Sequence, residues 1–144
     1  MLDTPKAGWS RIEIGNWSDR CSYLDDVPYR LLETVDVVVR TGRPCAVRFD
    51  AEGWEYTMVF DQSETHILSD KTPDESPDVI FTLTTIDIRI RDIAKELITD
   101  LRKDVDGWAN WMCYRPISEE ELNERKKDIL AWCDTLEQRV NYSL

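Results

Sequence analysis

The chain has 144 residues, 42% of them hydrophobic, and 29 acidic against 18 basic side chains give a formal charge of −11. That length suits one domain, read here as residues 1–144, with enough apolar material to bury a core, and six Trp, five Tyr and three Phe exclude a disordered acidic tail. The negative charge repels phosphate backbones and anionic membranes, and no basic run offsets it, so neither nucleic acid nor a membrane is expected as a direct partner.

The first residues, Met1 to Gly8, show no apolar stretch behind a basic region, and the longest apolar run is Val37-Val38-Val39. These features predict a soluble, cytoplasmic protein. In residues 9–15, Ile12 and Ile14 alternate with Arg11 and Glu13, the period of a strand. Asp25-Asp26-Val27-Pro28 then reads as a helix start, with acids to cap free N–H groups and Pro28 in the first turn. Leu31, Leu32, Val35, Val38 and Val39 form one apolar stripe, and Gly42 closes that helix before Pro44.

Cys45, Val47 and Phe49 alternate with Ala46, Arg48 and Asp50, and Ala51-Glu52-Gly53 turns the chain into a returning strand with Trp54, Tyr56, Met58 and Phe60 on one face. Thr65 to Leu68 reads as the next strand, residues 69–78 as a loop with two prolines, and Val79, Phe81 and Leu83 as the start of the last strand. From Thr85 to Val105 two periods compete. Ile86, Ile88 and Ile90 continue a strand, whereas Ile86, Ile90, Ile93, Ala94, Leu97, Ile98 and Leu101 fit a longer helical stripe. The longer pattern predicts a helix beginning near Ile86 and ending before Gly107. Trp108 to Tyr114 is an aromatic connector, and its Trp108, Trp111 and Tyr114, spaced by three, suit a core plug between the flanking helices. Ser118 and Glu121 carry the spacing of a capping box for a final helix lined by Leu122, Ile129, Leu130, Cys133, Leu136 and Val140. The expected fold is α+β in the order β-α-β-β-β-β-α-α, an antiparallel sheet of four to five strands covered on one face by about three helices.

No catalytic, cofactor-binding or metal-binding signature emerges. The cysteines Cys21, Cys45, Cys113 and Cys133 stand 24, 68 and 20 apart, without the paired spacing of a zinc site, and are read as reduced, mostly buried apolar side chains. His66 is the sole histidine and falls in a strand; a Cys–His pair stays open, but nothing nominates one cysteine as a nucleophile. No G-x-G occurs among the five glycines, so no phosphate-cradling loop is expected. Asp104 and Asp106 end the ambiguous helix, where negative charge is mildly unfavourable, and loop solvation explains them.

The acidity is locally concentrated. Residues 61–78 hold Asp61, Glu64, Asp70, Asp74, Glu75 and Asp78 against Lys71 alone, a local charge of −5. Such a segment serves solubility, and beside an aromatic strand it also presents what a binder of a basic protein needs, charge for steering and an aromatic anchor. The candidate partner-binding residues are Glu52, Trp54, Glu64, Asp70, Asp74, Glu75 and Asp78.

The layout of Ile12-Glu13-Ile14-Gly15, Ser22-Tyr23-Leu24-Asp25-Asp26, the acidic hairpin Phe49-Asp50-Ala51-Glu52-Gly53-Trp54-Glu55, Trp111 and the Pro116-Ile117 helix start resembles the small α+β immunity proteins of bacterial polymorphic toxin systems, such as contact-dependent growth inhibition. These families share no catalytic motif, so the resemblance carries over no functional residue. It implies a non-enzymatic cytoplasmic protein that binds a cognate toxin domain, often a basic enzyme such as a nuclease, and blocks its active site or substrate groove. The competing expectations are a general protein-binding adaptor and, behind it, a small-molecule or enzymatic domain with a pocket between sheet and helices.

Overall fold

The computed structural model describes residues 1–75, 78, 80–111 and 116–142. Among these residues six strands and four helices make two antiparallel sheets with helices beside them, an α+β fold. The first sheet is a hairpin of β1 (Trp9–Ile14) and β2 (Trp17–Ser22). After α1 (Val27–Thr41) come β3 (Cys45–Asp50), β4 (Glu55–Phe60), β5 (Glu64–Ser69) and β6 (Thr82–Asp87), which pair in sequence order as a four-stranded meander. The chain then forms α2 (Ile90–Lys103), the short α3 (Val105–Ala109) and the long α4 (Glu119–Tyr142).

The inward faces follow the alternation of the sequence. Val47 and Phe49 of β3, Tyr56, Met58 and Phe60 of β4, and Thr65 and Ile67 of β5 are buried, and their neighbours point to the other face. Against this face lie Leu31, Leu32, Val35 and Val38 of α1, while Ile93, Ala94, Leu97 and Leu101 of α2 continue the same buried cluster. The β1–β2 hairpin covers the rest: the Tyr56 hydroxyl donates to the Arg20 carbonyl at 2.8 Å, Trp17 meets Tyr56 edge-on at 5.2 Å, and Gly15 at the hairpin tip lies against Ile86. Trp108 and Trp111 are buried with ring centroids 5.0 Å apart, and the Trp111 indole N–H donates to the Asp25 carbonyl at 2.8 Å. Tyr114, expected in the same plug, lies outside the described residues.

Arginines bind α4 to the rest of the chain. Arg102 of α2 reaches Glu137 and Asp134 at 2.9 and 2.7 Å, Arg125 reaches Asp26 at 3.1 Å and the Ala109 carbonyl at 2.8 Å, and Arg139 grips buried Asp36 of α1 through both carboxylate oxygens. The Arg102 hydrogen bond holds the Glu137 carboxyl below its usual range.

Four expectations from the sequence change. First, the strand at Trp9–Ile14 pairs with an unanticipated β2 rather than joining the meander. Second, α2 begins at Ile90, not near Ile86. The strand ladder takes Ile86, paired with Thr65, and continues beyond β6 as Ile88 N–H donates to the Ser63 carbonyl at 3.1 Å. Third, α2 ends before Gly107 as expected, at Lys103, but an unanticipated α3 follows with Gly107 inside it and Asp104 as its N-cap: the Asp104 carboxylate accepts the Gly107 N–H at 3.2 Å, so Asp104 has a capping role rather than only solvation. Fourth, Asp26 makes no side-chain cap to α1. It pairs with Arg125 instead, and Asp25 takes Arg30 at 2.6 Å and the Asp50 N–H at 2.7 Å. Elsewhere the end signals act as read, with Gly42 left-handed at φ 69° and donating to the Val38 carbonyl at 2.8 Å, and Ser118 accepting the Glu121 N–H at 3.1 Å.

Candidate protein-binding surface

Helices and hairpin lie on one face of the four-stranded sheet, and among the described residues no element covers its opposite face. Register fixes what that face presents. One row crosses the strands as Arg48, Thr57, Leu68 and Leu83, and the next as Ala46, Val59, His66 and Thr85. Leu68 is 44% and Leu83 70% exposed, and Ile80 and Phe81, just before β6, are 72% and 58% exposed. Exposed apolar side chains paired across strands, as Leu68 and Leu83 are, mark a site of contact.

Acids frame this strip at both ends of the strands. At one end Glu55 stands beside Asp70, whose N–H donates to the Glu55 carbonyl at 3.1 Å and whose carboxylate accepts the Glu55 N–H at 2.7 Å. Exposed Asp74, Glu75 and Asp78 follow on the connection between β5 and β6. At the other end Glu64 pairs across the sheet with Asp87. The bases nearby are engaged: Arg48 with Glu55 at 3.5 Å, Arg89 with Asp92 at 2.9 Å, and Lys71 above the Trp54 ring at 4.4 Å.

The residues singled out in the sequence therefore divide. Glu52, Trp54, Asp70, Asp74 and Glu75 belong to the end of the sheet where β3 turns into β4 and β5 ends, whereas Glu64 stands at the far end of β5, about 20 Å away at ~3.3 Å per residue. The acidic stretch is thus two separated rims joined by a strand. Trp54 is half-buried and tied to the hairpin: its indole N–H donates to buried Asp19 at 2.8 Å, and the Arg20 guanidinium lies 4.2 Å from the ring centroid. Glu52, at φ 57°, is exposed, and its carbonyl with that of Ala51 accepts from Arg20 at 3.0 and 2.8 Å.

Sequence reasoning missed Leu68, Leu83, Ile80 and Phe81 as surface. The alternation Val79, Phe81, Leu83 suggests a buried face, yet in the pairing with β5 it is Ile86 that points inward and Leu83 that points out. The signal lay in Thr82 and Thr84: threonines at inward positions suit an edge strand whose inner face is only half covered.

Two of the buried thiols are ill-suited to nucleophilic attack. Burial, with the Asp25 charge behind it, pushes the Cys21 thiol up to about 12, and burial pushes Cys133 to about 11, so both are thiols at neutral pH. His66 lies on the open face, with Nδ1 3.0 Å from the Thr85 hydroxyl and Nε2 3.3 Å from Glu64, and no described cysteine shares that face. Among the described residues no group of three or more His, Cys, Asp or Glu converges, and no helix is long and apolar enough to cross a membrane. Cys113 lies outside the described residues.

Comparison of the chain with protein-family models, with curated proteins and with solved structures finds no match.

Proposed function

We propose that the chain is a non-enzymatic cytoplasmic immunity protein that binds a basic toxin domain and neutralises it by blocking its active site or substrate groove. The observation that carries this reading is the open sheet face, where the cross-strand pair Leu68 and Leu83 is exposed between two acidic rims, with exposed Ile80 and Phe81 just before β6. Its chemistry suits a protein partner: the apolar strip supplies contact area, and the rims steer a cationic surface toward it. A nuclease or another enzyme of anionic substrates carries such a cationic groove, and the resemblance drawn from the sequence supplies the biological setting.

The test begins with the neighbouring genes. A large secreted protein with a variable C-terminal toxin domain should be encoded directly upstream. That domain, co-expressed with this chain, should form a one-to-one complex, lose its toxicity and protect the open sheet face from hydrogen exchange. A toxin domain that stays active and elutes separately contradicts the proposal, and a stable complex with a housekeeping protein instead assigns the surface to an adaptor.

A further inference from the structure

Sheet order leaves β6 with β5 on one side and no strand on the other among the described residues. Antiparallel pairing alternates, and the bond from Ile88 N–H to the Ser63 carbonyl sets its phase. Thr82, Thr84 and Ile86 thus turn their amides and carbonyls toward β5, while Leu83, Thr85 and Asp87 turn theirs off the edge. Proteins commonly blunt such an edge with lysine, proline, a bulge or a covering element. The opposite edge strand, β3, begins after Arg43-Pro44, carries Arg48 and packs along α1. By contrast β6 reads Thr-Leu-Thr-Thr-Ile-Asp, has no proline or lysine, and is rich in residues that favour extended pairing.

We propose that this edge accepts a strand from the partner: an extended segment of a basic protein adds beside β6 as a fifth strand of the sheet. The inference rests on the preceding reading for the partner's charge and adds the mode of binding. Main-chain groups of Leu83, Thr85 and Asp87 supply the pairing, and the exposed Leu83 side chain contacts apolar residues at alternate positions of the incoming strand. Charge selects the occupant. Asp87 and Glu64 stand at one end of the edge, and exposed Asp78 lies four residues before Thr82 in the chain that leads into the other, so basic residues flanking the incoming segment meet acids on both sides. A second copy of this chain brings its own charge of −11 to the same place and is disfavoured.

The probe is the capped peptide Arg-Val-Thr-Val-Thr-Val-Lys, added to isotope-labelled protein. Amide exchange slows at Leu83, Thr85 and Asp87 and changes little at Thr82, Thr84 and Ile86. Of two peptides N-methylated at the valines or at the threonines, one loses affinity about tenfold or more and the other is spared, because only one peptide edge pairs. Replacing Arg and Lys by Glu weakens binding comparably. Thr85→Pro, which removes an N–H directed off the edge and spares the main-chain bonds to β5 while losing the hydroxyl contact with His66, also weakens it. If that variant does not fold, the N-methylated pair still decides.

Binding that depends on charge but is indifferent to N-methylation at either set overturns strand addition and leaves the basic-partner reading intact. An edge-specific exchange pattern kept with the acidic peptide upholds strand addition and overturns the basic partner. Edge amides already slow without peptide, in a protein that elutes as a dimer, assign the edge to a second copy and overturn the proposal.

Discussion

Replacing Trp54 by phenylalanine isolates the contact that fastens the β1–β2 hairpin to the turn between β3 and β4. The indole N–H donates to Asp19 Oδ2 at 2.8 Å, and Asp19, buried, uses its other oxygen to accept the Arg20 N–H at 2.7 Å. Phenylalanine keeps a ring near Arg20 and Lys71 but leaves one oxygen of a buried carboxylate without its donor. A hydrogen bond to a charged group contributes about 1.5–3 kcal/mol. The weaker cation attraction of a benzene ring removes on the order of 0.5 kcal/mol more. The expected loss is therefore about 2–3 kcal/mol, and at roughly 3 °C per kcal/mol for a chain of this size the midpoint falls about 6–9 °C. Urea denaturation with an unchanged m-value measures it, and a double-mutant cycle with Asp19→Ala should give a coupling above about 1 kcal/mol. A Trp54→Phe variant within about 0.5 kcal/mol of the native protein, or fully additive effects in the cycle, refutes the clamp.

Other sites give separate expectations. Asp36→Ala removes the carboxylate that Arg139 grips and that Arg40 approaches at 3.9 Å, and should cost about 2–3 kcal/mol, less than a fully buried pair because Arg139 is partly solvated; the shift in urea midpoint measures it. Leu83→Lys, at a position 70% exposed, should change stability by less than about 0.5 kcal/mol in the same assay, yet weaken partner binding measured by calorimetry. Alkylation at pH 8 followed by mass spectrometry should modify half-buried Cys45 in the native protein and Cys21 and Cys133 only after denaturant. Because the two buried thiols are raised above their ordinary value of 9.0, their contribution to stability is intact below pH 9 and declines as pH rises through about 11 and 12, which urea midpoints taken against pH should follow.

Where one periodicity dominates, the sequence states the structure. The stripe from Leu31 to Val38 is the buried face of α1, Gly42 and Ser118 end and begin helices as their chemistry requires, and the alternation from Cys45 to Phe60 is a hairpin with its apolar face inward. Legibility fails where tertiary contacts decide. The strand Trp17–Ser22 carries Asp19, Cys21 and Ser22 on its buried positions, so its pattern is polar until Trp54 and the covering elements are in place. Its usable signal was Gly15-Asn16, a two-residue hairpin loop with Gly15 at φ 57°. At Ile86 both periods were present, and pairing with Thr65 on β5, invisible from local sequence, took the residue into the sheet. For the candidate surface, the sequence marks the acids but not the apolar strip between them. Leu68 and Leu83 become neighbours only through cross-strand register, and the extension of β5 separates Glu64 from Asp70.

The most direct measurement of the central claim is the association rate of the purified protein with the basic toxin domain that the proposal expects to be encoded beside it, taken across salt concentrations for the native chain and for Asp74→Lys, Glu75→Lys, Asp78→Lys combined. These three acids are exposed, and reversing them moves the local charge by +6 without touching the core. The account predicts association at low salt slower by about tenfold or more, a dissociation rate nearly unchanged, and convergence of the two proteins once salt screens beyond ~10 Å. Equal association rates at low salt contradict it.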